Sequence, residues 1–483
     1  MRWFGVFVTV GIVAVGACSA NKDDAPAAPA QQCQAGEDAC GDYICQPDTA
    51  PTSSALGEEH NGAQADGGAD LAPARPTYVS LTFDDTFADQ YQLLDILGEV
   101  GMKATFFVNS ARVDQKSYMT ETQLHDLENA GHEIAGHTVT HPTLPAVDED
   151  EQRRQVCNDR VSLLGMNFKV MNFAYPHGAF SPLTQQIVRD CGYNSARVTG
   201  SLGCEGCVGA EPVDPLNTTG IDVYAVRSPT SIKCNTTVDD MKKEVLTAEA
   251  RGGGWLPMVF HHVCDGCGQN AVSAAKLRQF VAWLGARASR GTTVKMVRDM
   301  VGGEVKPGVA GPAAAPAQAR TGNLLENPGF EDADPASDDI ARCWVKGGEG
   351  FNEFDYGRSS DAHSGNFSEW LEVTKFTDGA RRIYTRQDLG YCSPVIEPGR
   401  HYRVSAWYKS TAAPRFTVYY REPSGFWSYW ATSKPMPASD GWTQQTFDLP
   451  AAPEDASAIS VGISLFGKGK LVMDDFSVTD VTP

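Results

Sequence analysis

"YVSLTFDDTF", residues 78–87, is an apolar, β-branched run that stops on two adjacent carboxylates, Asp84 and Asp85. Such a run reads as a buried strand, and polar residues at its carboxyl end fall where α/β folds place active sites. Next comes "FADQYQLLDILGEV", with Tyr91, Leu94, Leu97 and Val100 at roughly helical spacing, ended by Gly101. Further strand-like runs lie near 103–108, 132–136, 169–175, 194–198, 223–227, 256–260 and 293–297, with helical patterns between most of them. This repetition between residues 76 and 303 predicts a parallel barrel or a doubly wound sheet, and either gathers its loops at the strands' carboxyl ends.

The polar residues at those ends suggest metal chemistry. After "HEIAG" comes "HTVTHP", which sets His137 and His141 four apart in a segment whose Val, Thr and Pro142 favour a loop. With the carboxylate of Asp85 they form an N/O-rich set of three ligands, the type found at catalytic divalent sites that keep positions open for water and substrate. Zinc is the expected ion. An HxxxH pair alone is weak evidence, since two surface histidines would look the same. "LPMVFHHVCDG" delivers His261 to the same rim, where an imidazole can act as a general acid near neutral pH. A single isolated histidine is more often a core residue, so the case rests on the constellation.

In their order and separations, "TFDD", "HTVTH", "YPHG" and "FHH" resemble the polysaccharide deacetylases of the NodB homology type, carbohydrate esterase family 4, over about residues 76–300. The resemblance implies an irregular (β/α) barrel. It also implies that Asp84 is the base, that Asp85, His137 and His141 hold the metal, and that His261 is the acid. The oxyanion would be met by a backbone N–H of the "YPHG" turn, around Tyr175 and His177. Two departures stand out. The family's Arg that orients the catalytic Asp is replaced by Ala174, and Arg227 in "YAVRSP" is the expected substitute. His177 stands where an aromatic commonly follows the motif's Pro.

From about 323 the pattern changes to short alternating runs such as "HYRVSAWYKS", "RFTVYYRE" and "AISVGISLF", separated by turn residues. These predict an all-β sandwich over 323–483. "NLLENPGFE" and "MDDFSV" resemble jelly-roll carbohydrate-binding modules, which implies a structural calcium at Glu331 and Asp475. "GFWSYW" offers Trp427, Tyr429 and Trp430 as flat faces for sugar rings. The Pro-, Gly- and Ala-rich stretch 304–322 is the expected linker.

The amino terminus, "MRWFGVFVTVGIVAVGAC", is an export signal whose apolar stretch is shorter than the roughly 20 residues that span a bilayer. Val15-Gly16-Ala17-Cys18 resembles a bacterial lipobox, which implies lipidation of Cys18 and a membrane tether; an ordinary signal peptide is the alternative. Residues 19–75, rich in Ala, Pro, Gly and Asp, predict a disordered spacer. Of 13 cysteines, twelve remain beyond Cys18, an even number suited to disulfides in an oxidising compartment. Cys33, Cys40 and Cys45 are odd in number, with Cys234 as one possible partner. Cys204/Cys207 and Cys264/Cys267 read as disulfides rather than a second zinc site, and Cys343 pairs with Cys392. A net charge of -20 argues against a nucleic-acid partner.

The expected protein is an exported, lipid-anchored, metal-dependent deacetylase acting on an acetylated polysaccharide. An amino-sugar polymer of the chitin or peptidoglycan type comes first, and an acetyl ester on a polymer such as acetylxylan second. A binding lipoprotein with a weakened barrel is a third reading, motivated by Ala174. A glycoside hydrolase fits poorly, because adjacent strand residues face opposite ways.

Overall fold

The computed structural model describes residues 75–200, 202, 220–313, 322–335, 337–349, 352–390 and 392–483. Cys18, the spacer as far as residue 74, Cys33, Cys40, Cys45, Cys204 and Cys207 lie outside the described residues. No helix among the described residues is long and apolar enough to cross a membrane.

The first body is a seven-stranded parallel sheet. Its strands are β1 (Thr77–Asp84), β2 (Thr105–Val108), β3 (Glu133–Gly136), β4 (Asn172–Ala174), β5 (Ser195–Arg197), β6 (Gly254–Phe260) and β7 (Thr292–Val294). They lie in the order β5-β4-β3-β2-β1-β6, with β7 also paired to β1, so β1 has three strand partners in an incomplete barrel. Among the described residues, seven α-helices accompany the strands: α1 (Leu93–Gly98), α2 (Glu121–Asn129), α3 (Glu149–Gly165), α4 (Pro182–Asp190), α5 (Val238–Ala250), α6 (Ala274–Ala286) and α7 (Val297–Val301). Val79, Leu81 and Phe83 of β1 are fully buried in the core between sheet and helices.

Local chemistry explains the helix starts. Asp148 caps α3 by accepting from the Glu151 N–H, and Thr120 with Gln123 forms a capping box at α2. The run at 223–227 is not a strand; it makes one parallel bridge, Arg197 to Val226. The helix expected over 87–100 is a 3₁₀ turn, Ala88–Gln92, followed by α1. The start of the expected linker is held in place, because Arg160 on α3 donates to the carbonyls of Lys306 (2.6 Å) and Pro307 (2.9 Å).

The second body is the expected sandwich of two five-stranded antiparallel sheets. In chain order its strands are β8 (Trp344–Glu349), β9 (Asn352–Ser359), β10 (Ser368–Phe376), β11 (Ala380–Thr385), β12 (Tyr402–Ser410), β13 (Arg415–Arg421), β14 (Trp427–Thr432), β15 (Ser439–Asp448), β16 (Ala458–Leu465) and β17 (Gly469–Asp480). The sheets run β8-β11-β16-β13-β14 and β9-β10-β17-β12-β15. Disulfides join Cys157 to Cys191, Cys264 to Cys267 and Cys343 to Cys392, and Cys234 is also disulfide-bonded.

The two bodies touch through the β13–β14 hairpin and through the segment that follows β11. Gln115 donates to Glu422 at 3.0 Å, and the Leu389 N–H donates to Glu151 at 2.9 Å. Gly425, at φ +94°, sits at the hairpin tip, where an added Cβ would lie 3.0 Å from both Val139 and Leu389. Only glycine accepts that conformation and that approach together.

Candidate active site and metal centre

The carboxyl ends of β1, β3 and β6 bring the sequence's candidates together. At the end of β1 the chain turns through two left-handed residues, Asp85 (φ 80°) and Thr86 (φ 66°). Conformations of this kind are costly and are held by their surroundings. Here the Thr86 hydroxyl accepts from the Asn109 N–H at 2.8 Å, and the Thr86 carbonyl accepts from the Met119 N–H at 2.8 Å. The turn separates the two acids, so that each meets different partners.

Asp85 faces the histidines. Its Oδ1 lies 3.2 Å from His141 Nε2 and 3.7 Å from His137 Nε2, and its Oδ2 lies 3.9 Å from His261 Nε2. Arg112 also reaches Asp85 Oδ1, at 3.0 Å. Burial works against the charge on Asp85, yet His141, Arg112, His137 and His261 together hold its carboxyl below the usual range. Of these, Arg112 is the permanent cation. Burial lowers His137 and His141 below the ordinary imidazole value, which keeps both rings neutral and able to donate a lone pair.

The loop after β3 aims the two rings. Asp159 on α3 accepts from the His137 N–H (3.0 Å) and the Ser110 N–H (2.9 Å), and Asn109 also bonds the carbonyl of Thr138, 3.2 Å away. His137 Nδ1 meets the Ala174 carbonyl at 2.8 Å, which turns Nε2 toward Asp85. A carbonyl behind a ligand imidazole is a common way to fix tautomer and orientation. The ligand atoms of Asp85, His137 and His141 lie within 4.8 Å of one another, and their N/O chemistry fits a divalent cation.

Asp84 is 4% exposed. Its Oδ2 is held by Arg197, whereas Oδ1 has no hydrogen-bond partner among the described residues. The expected orienting residue is therefore corrected: Arg197 at the end of β5 reaches Asp84, not Arg227. Ala174 and Arg197 are register partners on β4 and β5, so the guanidinium comes from the strand beside the position where the family's Arg is missing. Arg227 lies one residue beyond the Val226 bridge and is partly buried.

Gln90, which no sequence signal singled out, is fully buried and donates to the backbone carbonyls of both Asp84 and His261. The neighbouring His262 turns away to Asp89, at 2.6 Å, and stacks on Phe87. Asp89, His262, Cys264 and Cys267 also converge, but the two sulfurs are joined as a disulfide and brace the loop beyond His261.

The "YPHG" turn departs from expectation at Tyr175. Its N–H is used by the Arg197 carbonyl (3.0 Å) and its hydroxyl by the Tyr224 carbonyl (2.9 Å), so Tyr175 is a core residue. The His177 ring packs edge-on against His141 at 4.5 Å. In the sandwich, Glu331 accepts the N–H groups of Asn366 and Phe367, and Asp475 accepts from His363 and Ser364. Neither belongs to a converging metal-ligand group among the described residues. Trp427 borders a cleft that also touches His141, Tyr429 is exposed, and Trp430 is partly buried and packs against the sandwich core.

Residues 72–196 match the polysaccharide deacetylase family. The chain is 35% identical over 86 residues to a peptidoglycan-N-acetylglucosamine deacetylase of Bacillus cereus, covering 17% of this chain and 30% of that protein. It is 33% identical over 107 residues to a chitooligosaccharide deacetylase of Sinorhizobium fredii, covering 21% of this chain and 48% of that protein. Under half the length of either relative is therefore matched. Among solved structures, a family 4 carbohydrate esterase from Streptomyces lividans in complex with acetate aligns with a TM-score of 0.33 and 17% identity, over 48% of this chain and 98% of that one. The matched segment contains Asp84, Asp85, His137, His141 and His177; Arg197 and His261 lie beyond it.

Proposed function

We propose that this chain hydrolyses N-acetyl groups on an amino-sugar polymer of the chitin or peptidoglycan type, using a divalent cation held by Asp85, His137 and His141. The observation that carries this reading is the division of the two acids: one converges with two imidazoles, and the other is pinned by Arg197 with one oxygen unpartnered among the described residues. A bound cation, zinc being the expected ion, supplies Lewis acidity toward the acetyl carbonyl and the attacking water.

The chain's own residues do the rest. Asp84 Oδ1 takes the proton of the attacking water, while Arg197 on Oδ2 fixes the carboxylate's rotation. His261 returns a proton to the departing nitrogen. Gln90 sets the spacing of base and acid by gripping the backbone of both. His177 borders the cleft next to His141 and is placed to contact the acetyl group. We also infer export and lipid attachment at Cys18, a reading supported by disulfides in both bodies.

The test is acetate release from chitin oligomers, peptidoglycan and acetylxylan by the full chain, stripped of metal and then reconstituted with zinc, alongside Asp84→Asn. The expected result is acetate from the N-acetylated glycans that requires both zinc and Asp84. Release from acetylxylan alone would replace the amide with the ester. No acetate from any glycan, despite zinc binding, would overturn catalysis in favour of a binding lipoprotein.

A further inference from the structure

A cleft of about 650 Å³ lies between the two bodies. One wall carries Arg112, His141 and His177 of the deacetylase domain, and the other carries Lys346, Tyr384 and Trp427 of the sandwich. The sandwich thus meets the catalytic rim directly. A volume of this size is in the range of ligand sites that enclose most of what they bind.

Tyr384 lies on the outward face of the sheet β8-β11-β16-β13-β14, because its neighbour Ile383 is buried in the sandwich core. Two glycines shape the space around it. A Cβ at Gly347 would come within 2.6 Å of the Tyr384 ring, and one at Gly462 within 2.5 Å of the Tyr384 Cβ. Without those side chains the ring can lie down over the sheet. The aromatic path then continues away from the cleft: Tyr419 is 6.3 Å from Tyr384, and Tyr429, 57% exposed, is 6.2 Å from Tyr419.

We propose that a single glycan strand occupies this path, running from the Asp85–His137–His141 centre through the cleft, over Trp427 and Tyr384, and out along Tyr419 and Tyr429. The sandwich is then a wall of the active site rather than a remote anchor. Aromatic rings offer apolar faces to the C–H surfaces of sugars, and a succession of them suits successive units of one extended strand. The occupant is argued from continuity, since the cleft opens onto His141 and His177. A gap between two bodies admits one strand but not a crystalline surface. The substrate class is therefore a soluble or peeled strand of N-acetylated amino sugars several units long. Its identity rests on the deacetylase reading.

The experiment uses the full chain and a soluble hexamer of N-acetylglucosamine. KM and kcat are measured for wild type, Trp427→Ala, Tyr429→Ala, Trp427→Phe and Tyr429→Phe, and hexamer Kd is measured by calorimetry with the same changes on Asp84→Asn. Each alanine should raise KM and Kd about tenfold, with the effect on KM rather than kcat, and each phenylalanine should restore most of it. Unchanged hexamer constants with lost adsorption to insoluble chitin would make the sandwich a remote anchor and overturn the proposal. If wild type releases no acetate from any glycan, the deacetylase reading fails and the binding arm decides alone. Weakened hexamer Kd in both alanine variants would then uphold the path, and an unbound hexamer or unchanged Kd would overturn it.

Discussion

Asp84 and Asp85 are adjacent, yet Asp84 meets Arg197 whereas Asp85 faces three imidazoles and Arg112. The left-handed turn after β1 makes that division, and Arg197 makes Asp84 usable by fixing one oxygen and leaving the other. Arg197→Ala should therefore lower kcat about 10- to 100-fold with zinc affinity little changed, and Arg197→Lys should recover part of the loss. Arg227→Ala should stay near wild type; a kcat loss there as large as at Arg197 would reverse the assignment. Gln90→Ala should also lower kcat while leaving zinc binding intact, because it frees the backbones of Asp84 and His261 without touching Asp85, His137 or His141. The motif residues were legible because each falls at a strand end in a recognisable order. Arg197 also stood at the end of an expected strand, but so did Arg227. Only the β4–β5 register placed Arg197 beside Ala174.

At the scale of elements, the β3 end shows how tightly the histidine loop is framed. A Cβ at Gly136 would lie 2.1 Å from the Tyr193 hydroxyl and 2.7 Å from Asp159 Oδ2. Gly136→Ala should therefore cost about 1–3 kcal/mol of stability and weaken zinc binding, as thermal melting and metal titration would show. In the sandwich, burial pushes Glu369 up to about 8 from its ordinary 4.5, although it accepts from the Ala341 N–H at 2.6 Å. Between those values the unfolded chain has released a proton that the folded one retains, so this residue's contribution to stability falls as pH rises. Glu369→Gln should accordingly lose less melting temperature than wild type between about pH 5 and about pH 8. An equal loss in both would assign the pH dependence elsewhere. Helix and strand periods were readable in most elements because one face of each is buried. The run at 223–227 was misread because extended, apolar chain need not find a full ladder of partners.

For the whole molecule, the β13–β14 hairpin and the segment after β11 are where the two bodies meet. Gly425→Gln puts a side chain where Val139 and Leu389 leave no room, and at a φ that favours glycine. Small-angle scattering should show a larger radius of gyration for this variant, with a higher KM for the hexamer. An unchanged radius would mean that the contact is not what holds the bodies together.

The sequence by itself determined the α/β body, the all-β sandwich and the residue set Asp84, Asp85, His137, His141 and His261. Hydrophobic period and motif order are local properties, carried in the chain before it folds. The tertiary structure alone decided that Arg197 holds Asp84, that Gln90 joins the backbones of Asp84 and His261, that Tyr175 belongs to the core, and that Trp427 lines the same cleft as His141. Each of these depends on strand register or on the docking of distant segments. Such contacts are set by packing across the fold, and no local pattern records them.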